Sequence, residues 1–413
     1  MDLFVVEDAG FRNFLPLTWT RPVYDLKCGM TSLLDKIERA YGLTASGLGC
    51  RDYLAQLVAE QHPQSAVNRV AGDSALIVNG RVLWNGELAA LIPLAGPDRL
   101  YKCGETVVAA RLSGGNLKGM DWRTPIRSGS FPELETEEVS AQVFDWPWDL
   151  VHHNAEAITN DFAELAQGGA IEGQVSPGAY LEGQGNLCIA AGARIAPGVV
   201  LDASSGPIYI APDVKVMPQA TIVGPAYIGP GSTIKIGAKI YAGTAIGAAC
   251  KMGGEVEGSI IHGHSNKQHD GFLGHSYLGQ WVNFGAGTDN SDLKNDYGNV
   301  HVTVGDETID SGSMFVGSII GDHTKTGIHT MLNTGTVAGV GCNLFGAGFP
   351  PKYIPSFVWG GVEGFSEYRL DKFLQVARTV MERRSIDLSA AQETVLRHVY
   401  AETSEERAKV VNA

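Results

Sequence analysis

IYIAPDVKVMPQATIVGPAYIGPGSTIKIGAKIYAGTAIGAAC (208–250) keeps a six-residue beat. Ile210, Val216, Ile222, Ile228, Ile234, Ile240 and Ile246 mark it, and Ile189, Ile195 and Leu201 mark it upstream. Four residues after a beat sits something small or β-branched: Ala193, Val199, Val214, Ala220, Ala226, Ser232, Ala238, Thr244 or Cys250. A helix repeats every 3.6 residues and an ordinary strand every 2, so neither yields this pattern. Hexapeptide rungs of a parallel β-helix do. Each rung is a short flat strand, and three rungs make one triangular coil. The aliphatic residue fills the interior, and the small one sits where the wall turns. Stacking coils buries Ile on Ile, at about 1.5–3 kcal/mol for each side chain. A β-sandwich with Gly-rich turns would not hold that register.

Working outward, the chain has 413 residues, enough for two or three domains. Its 52 glycines suit a fold with many tight corners. A net charge of −14 argues against nucleic acid or an anionic membrane as partner. A phosphate-bearing ligand must therefore meet local basic residues. Acidic residues interrupt the only apolar run near the start, MDLFVVED, so no signal peptide is expected. The six cysteines (28, 50, 103, 188, 250, 342) form no CxxC pair and read as reduced, mostly buried thiols in the cytoplasm.

The organisation expected is an α/β domain over 1–165, the β-helix over 166–355 and a helical tail over 356–413. LFVVE (3–7), ALIVNG (75–80) and TVVAARL (106–112) read as strands. TSLLDKIERAYG (31–42), with Thr31 or Ser32 as N-cap, and DYLAQLVAEQ (52–61) read as helices. Alternation of this kind suggests a wound sheet. Residues 145–162 look like the bridge to the β-helix. Loops are expected at 183–188 and 204–207, and a longer excursion between 252 and 300, where the beat lapses. The tail helices, at 367–385 and 393–411, are expected to cover the last open rung.

The densest polar segment, 253–298, holds His262, His264, His269, His275, Glu255, Lys267, Asn283, Lys294 and Asn295. Hydrophobic periodicity explains few of them, so a site is expected there. One stacked histidine alone would read as a polar β-helix corner.

Hexapeptide repeats followed by SNKQHDGFLG…WVNFGAGT resemble the acetyltransferase domain of the GlmU-like enzymes. In that family a glucosamine-1-phosphate N-acetyltransferase is joined to a UDP-N-acetylglucosamine pyrophosphorylase. The resemblance runs over about 170–345. It implies a left-handed β-helix, a homotrimer, acetyl-CoA as co-substrate and an amino-sugar 1-phosphate as acceptor. It puts His269 on the catalytic base, Glu255 on the residue that orients it, and Asn283 on a substrate-binding Asn. Lys239 falls near a substrate-holding Arg, and Lys267 joins the substrate-binding candidates. Glu257 stands where the family has a phosphate-binding Lys, and Phe272 replaces a Tyr. SDLKNDYG replaces the NYDGxNK loop, with Lys294 or Asn295 as substitutes. Lys325 and Lys352 are basic residues near the last coils, set against the CoA phosphates or plain solvation. The chemistry suits these residue types: an amine attacking a thioester must lose a proton, and a neutral imidazole can take it.

The first domain resembles the family's nucleotidyltransferase loosely. DAGFRNFLPLTWTRPVYDLK (8–27) has one glycine where a phosphate-cradling loop has several. Arg12 would stand for the loop Arg, and Arg21 or Lys27 for the Lys. Asn79 sits where a Mg²⁺-binding Asp is expected, and an amide holds Mg²⁺ poorly. Two readings compete with acetyl transfer. One is a zinc site of the gamma carbonic anhydrase type, built from three of the four histidines. The other is a scaffold whose histidines only pack.

Overall fold

The six-residue beat becomes the inside of a three-sided prism. All ten beat residues from Ile189 to Ile246 are buried, and so are the nine small residues named with them. The computed structural model describes residues 1–305 and 307–411. They divide into two compact units: 1–26, 31–146 and 389–398 in the first, and the described residues of 27–30, 147–388 and 399–411 in the second.

In the first unit a seven-stranded mixed sheet carries Asp2–Val6 near its middle. Asp2–Val6 pairs in parallel with Gly47–Gly49 and with Ser74–Asn79. Thr106–Ser113 then runs antiparallel to Ser74–Asn79. The expected first helix is Leu33–Tyr41. Ser32 caps it in a reciprocal box with Asp35, and Gly42 closes it at φ 66°. The expected second helix opens as a 3-10 turn, Asp52–Leu54, before Ala55–Gln61.

In the second unit strands pair with the strand three places on in the chain, which is what a three-faced parallel β-helix requires. The first face has eleven strands, from Gln174–Val175 to Gly364–Glu367. The second has six, Tyr180–Glu182 to Phe272–Gly274, and the third nine, Leu187–Ile189 to Tyr353–Ile354. On the third face the coils shorten from eighteen residues (Ile228 to Ile246) to fifteen (Ile246 to Ile261) and seventeen (Ile261 to Leu278). The next coil is forty-two residues, Leu278 to Ile320. So the beat lapses over 252–290 while the rungs continue, and the excursion lies later, at 291–316. It carries the hairpin His301–Val304 with Glu307–Asp310.

The bridge is the helix Pro147–Leu165, which packs along the third face. Asn154 accepts from Gly29 N (2.7 Å) and donates to Gly243 O (2.6 Å), while Asp161 accepts from Met30 N (2.8 Å).

The corner between the third and first faces carries a ladder of rings. His264, Trp281 and His323 occupy it on successive coils with φ of 54°, 62° and 61°. Such φ costs a non-glycine residue roughly 1–2 kcal/mol. Stacking offsets part of it: His264 lies 4.5 Å from Trp281, and Trp281 lies 6.2 Å from His323.

The tail does two jobs rather than the one expected. Ser404–Val411 lies at the open end, with Val410 against the prism core, Tyr353 on Glu406 (2.7 Å) and Arg407 on Glu367 (2.9 Å). Leu370–Glu382 instead runs back along the ringed corner. Phe373 stands edge-on to Phe357 (4.9 Å) and His323 (5.7 Å), and just past the helix Arg384 reaches Ala249 and Asn266.

Candidate functional site

His269, Glu255 and Lys267 meet at one corner, between the first and second faces. Strand Asn266–Lys267 leads into it on the first face, and Phe272–Gly274 leaves on the second. Asn266 points out. Lys267 points in, taking the interior place held by Met252 on the coil before and Phe284 on the coil after. A buried ammonium needs partners, and it finds carbonyls at the corner: Gly253 (3.2 Å), His269 (3.3 Å) and Gly271. Burial pushes Lys267 down to about 8. Lys267 is 2% exposed, so its side chain holds the corner and offers no group to a ligand.

That corner leaves His269 exposed, with no ring partner among the described residues. Its carbonyl packs on Gly254 (φ +68°), where a Cβ would lie 2.8 Å from it, so the coil beneath needs glycine there. Glu255 follows, and its N–H donates to Gly271 O at 3.1 Å. Its carboxylate faces Lys239, its register neighbour, at 3.5 Å. Both side chains are exposed enough that this pair adds little stability. Tyr241, unremarked in the sequence, packs beside Glu255. Burial first and the Glu255 carboxylate next raise its phenol.

Asn283 lies on the outward side of the first face, one coil above Asn266, whose amide donates to it at 3.3 Å. Lys325 is the next outward residue on that face. Lys294 and Asn295 are not brought to this place. They ride on the excursion, which leaves from the corner between the second and third faces, and Lys294 turns to Asp296 (3.2 Å). That corner holds a pair the sequence did not reveal: His275 Nδ1 on Asp292 at 2.7 Å, with Phe315 beside the ring.

The four histidines of the zinc reading are dispersed. His264, His269 and His275 sit at three different corners, and His262 lies on the third face with its ring 3.3 Å from the Tyr277 hydroxyl. Among the described residues no three His, Cys, Asp or Glu gather as a metal would need.

In the first unit a pocket of about 210 Å³ is lined by Asp8, Gly10, Arg81, Glu105, Thr106 and Arg127, among others. None of Arg12, Arg21, Lys27 and Asn79 lines it. Arg12 is exposed over Phe11, and Arg21 is buried with a bond to Leu17 O (3.1 Å). Lys27 belongs to the second unit, where its N–H donates to Tyr277 (2.8 Å). Asn79 is buried, donating to Asp8 and Val107 O and accepting from Arg81 N. Asp8 is held by Arg81 at 2.7 Å and by Gly10 N at 3.1 Å. Arg81 continues to Asp145 (2.6 Å). These carboxylate and amide oxygens already have donors, and a guanidinium stands among them, so the set does not fit Mg²⁺.

Residues 3–169 match the family model described as sugar nucleotidyl transferase. The chain is 35% identical over 91 residues to a bifunctional sugar-1-phosphate nucleotidylyltransferase/acetyltransferase of Sulfurisphaera tokodaii, covering 22% of this chain and 23% of that protein. It is 36% identical over 139 residues to the bifunctional protein GlmU of Acidithiobacillus ferrooxidans, covering 32% and 29%. The GlmU-like resemblance read from the motifs is thus borne out, across roughly a quarter of each relative's length. Among solved structures, the UDP-N-acetylglucosamine acyltransferase of Campylobacter jejuni aligns over 56% of this chain and 97% of its own. Its identity is 12% and its TM-score 0.30, too low to bear on function. Among the described residues no helix is long and apolar enough to cross a membrane.

Proposed function

We propose that this protein transfers acetyl from acetyl-CoA to the amine of an amino-sugar 1-phosphate, with glucosamine 1-phosphate as first choice. The observation that carries the reading is the corner itself. His269 presents its imidazole to solvent, its backbone carbonyl is tied by a buried lysine beneath it, and Glu255 lies one coil away. The amine nitrogen attacks the thioester carbonyl, the C–S bond breaks, and CoA leaves as thiolate. His269 takes the proton the nitrogen loses. Glu255, with Tyr241 and Lys239 against its carboxylate, supplies the polar groups of the coil beneath, and Asn283 offers an amide from the first face.

A homotrimer in the cytoplasm is part of the proposal. Ile236 (62% exposed) and Ile328 (74% exposed) lie on the same prism edge as His269. Large aliphatic side chains flanking a site on an open edge suit burial against a second copy. The nucleotide half is proposed more narrowly. The first unit keeps the fold, and its Asp8–Arg81–Asp145 chain leaves no Mg²⁺ donors at Asn79, so no nucleotidyl-transfer step is assigned to these residues.

Acetyl-CoA consumption with glucosamine 1-phosphate tests the reading. Wild type should turn over, and His269→Ala should fall by about 10²–10⁴ with its fold intact.

A further inference from the structure

Outward positions on the first face line up as Lys251, Asn266, Asn283, Lys325 and Asn343 on successive coils. Onto this column the tail brings Arg384, from just beyond Leu370–Glu382. One guanidinium nitrogen donates to Ala249 O at 2.5 Å and the other to Asn266 Oδ1 at 2.7 Å, leaving further N–H groups. Arg384 has no carboxylate partner among the described residues, and neither has Lys251 or Lys325. Among the described residues the Lys325 ammonium meets the His323 carbonyl, at 2.9 Å, and no other group.

The charge here runs against the rest of the molecule. In a chain of net −14, three unpaired cations share one strip of sheet. After burial, the charges that act on Lys251 are all positive, Arg384 first, then Lys235 and Arg383, and together they lower its pKa. His264, at the adjoining corner, is lowered by burial and then by Arg384 and Lys27. An anion would relieve all of these at once. The amides of Asn266 and Asn283 lie between the cations, and a phosphoryl group has oxygens enough for both kinds of donor. Asn266 is three residues before His269, at most about 10 Å along the chain.

We propose that Lys251 and Arg384, with the amide of Asn266, form a binding site for a phosphoryl group, and that Asn283 and Lys325 continue the site along the column for the rest of a phosphate-bearing ligand. The tail residue Arg384 supplies its guanidinium. The link to acetyl transfer, with this group anchoring a phosphate of one substrate, rests on the function proposed above. The binding itself does not.

The test is calorimetric titration of the full-length protein with inorganic phosphate and with pyrophosphate at low salt, without turnover. Wild type should bind, and Lys251→Gln and Arg384→Gln should each weaken binding about tenfold or more. Lys118→Gln, in the first unit, should leave it unchanged. The Lys251 side chain makes no hydrogen bond or ion pair among the described residues, so its effect cannot come from a loosened tail. Displacement by CoA but not dephospho-CoA would assign the site to the CoA 3′-phosphate. Displacement by glucosamine 1-phosphate but not glucosamine would assign it to the sugar phosphate. No binding by wild type, unchanged binding by both variants, or equal weakening by Lys118→Gln would overturn the site. A site that binds phosphate in a protein without acetyl transfer would sink the proposed function and leave this one standing.

Discussion

The Lys267 ammonium, inside the prism, donates to the backbone carbonyl of His269, on its outer edge, at 3.3 Å. One lysine thus joins the core to the backbone that carries the exposed imidazole. It also ties down the carbonyls of Gly253 and Gly271, on the two coils that meet at this corner. Lys267 is a positioning residue, since it touches the backbone of the base and not a substrate.

Lys267→Met keeps the interior filled and removes these donors. The protein should stay folded, while kcat for acetyl transfer falls about tenfold with KM little changed. Steady-state kinetics checks this. An unchanged kcat would confine Lys267 to packing.

The same lysine predicts a pH dependence. Its pKa lies near 8 in the folded protein against an ordinary 10.5. Between those values the unfolded chain binds the extra proton, so this group makes stability rise with pH from about 8 to about 10.5. Its unfavourable contribution is largest below pH 8. Urea midpoints measured across that window should climb less steeply for Lys267→Met than for wild type. Lys325, also pushed down to about 8 by burial, adds to the wild-type slope and stays in both proteins.

Interior and edge isoleucines should behave oppositely. Ile228 is fully buried in the ladder, and Ile228→Ala should cost about 2–5 kcal/mol in chemical denaturation. Ile236 stands on the open edge, and Ile236→Ser should leave the chain's own fold intact and weaken assembly. Sedimentation should then show trimer giving way to monomer. A monomeric wild type contradicts the assembly proposed here.

In the first unit Asp8 and Asn79 are already bonded within the protein. Mg²⁺ should therefore not tighten UTP binding, as read by calorimetry with and without the metal. A clear Mg²⁺-dependent gain in affinity would show that the Asp8–Arg81 pair opens.

The prism was legible because its period is written in residue type: from Ile189 to Ile246 the beat and the buried ladder coincide. It blurred where coils shorten to fifteen and seventeen residues, because a shorter corner removes residues without removing a rung. The excursion was therefore expected too early. At the site, motif spacing brought Glu255 and His269 to one corner, yet it gave no sign that Lys267 points inward. Strand alternation settles that, because Lys267 follows the outward Asn266. Arg384 carried no signal, since nothing in Arg383–Arg384 reveals where a tail helix docks. Lys294 and Asn295 were placed by a loop motif, and the chain instead hangs that loop on another corner.

The most direct measurement of the central claim is acetyl-CoA-dependent thiol release with glucosamine 1-phosphate, wild type beside His269→Ala. Turnover that drops at least a hundredfold in a variant with unchanged melting temperature and assembly is the predicted result. Equal turnover in the two proteins, or none in a folded wild type, would contradict it.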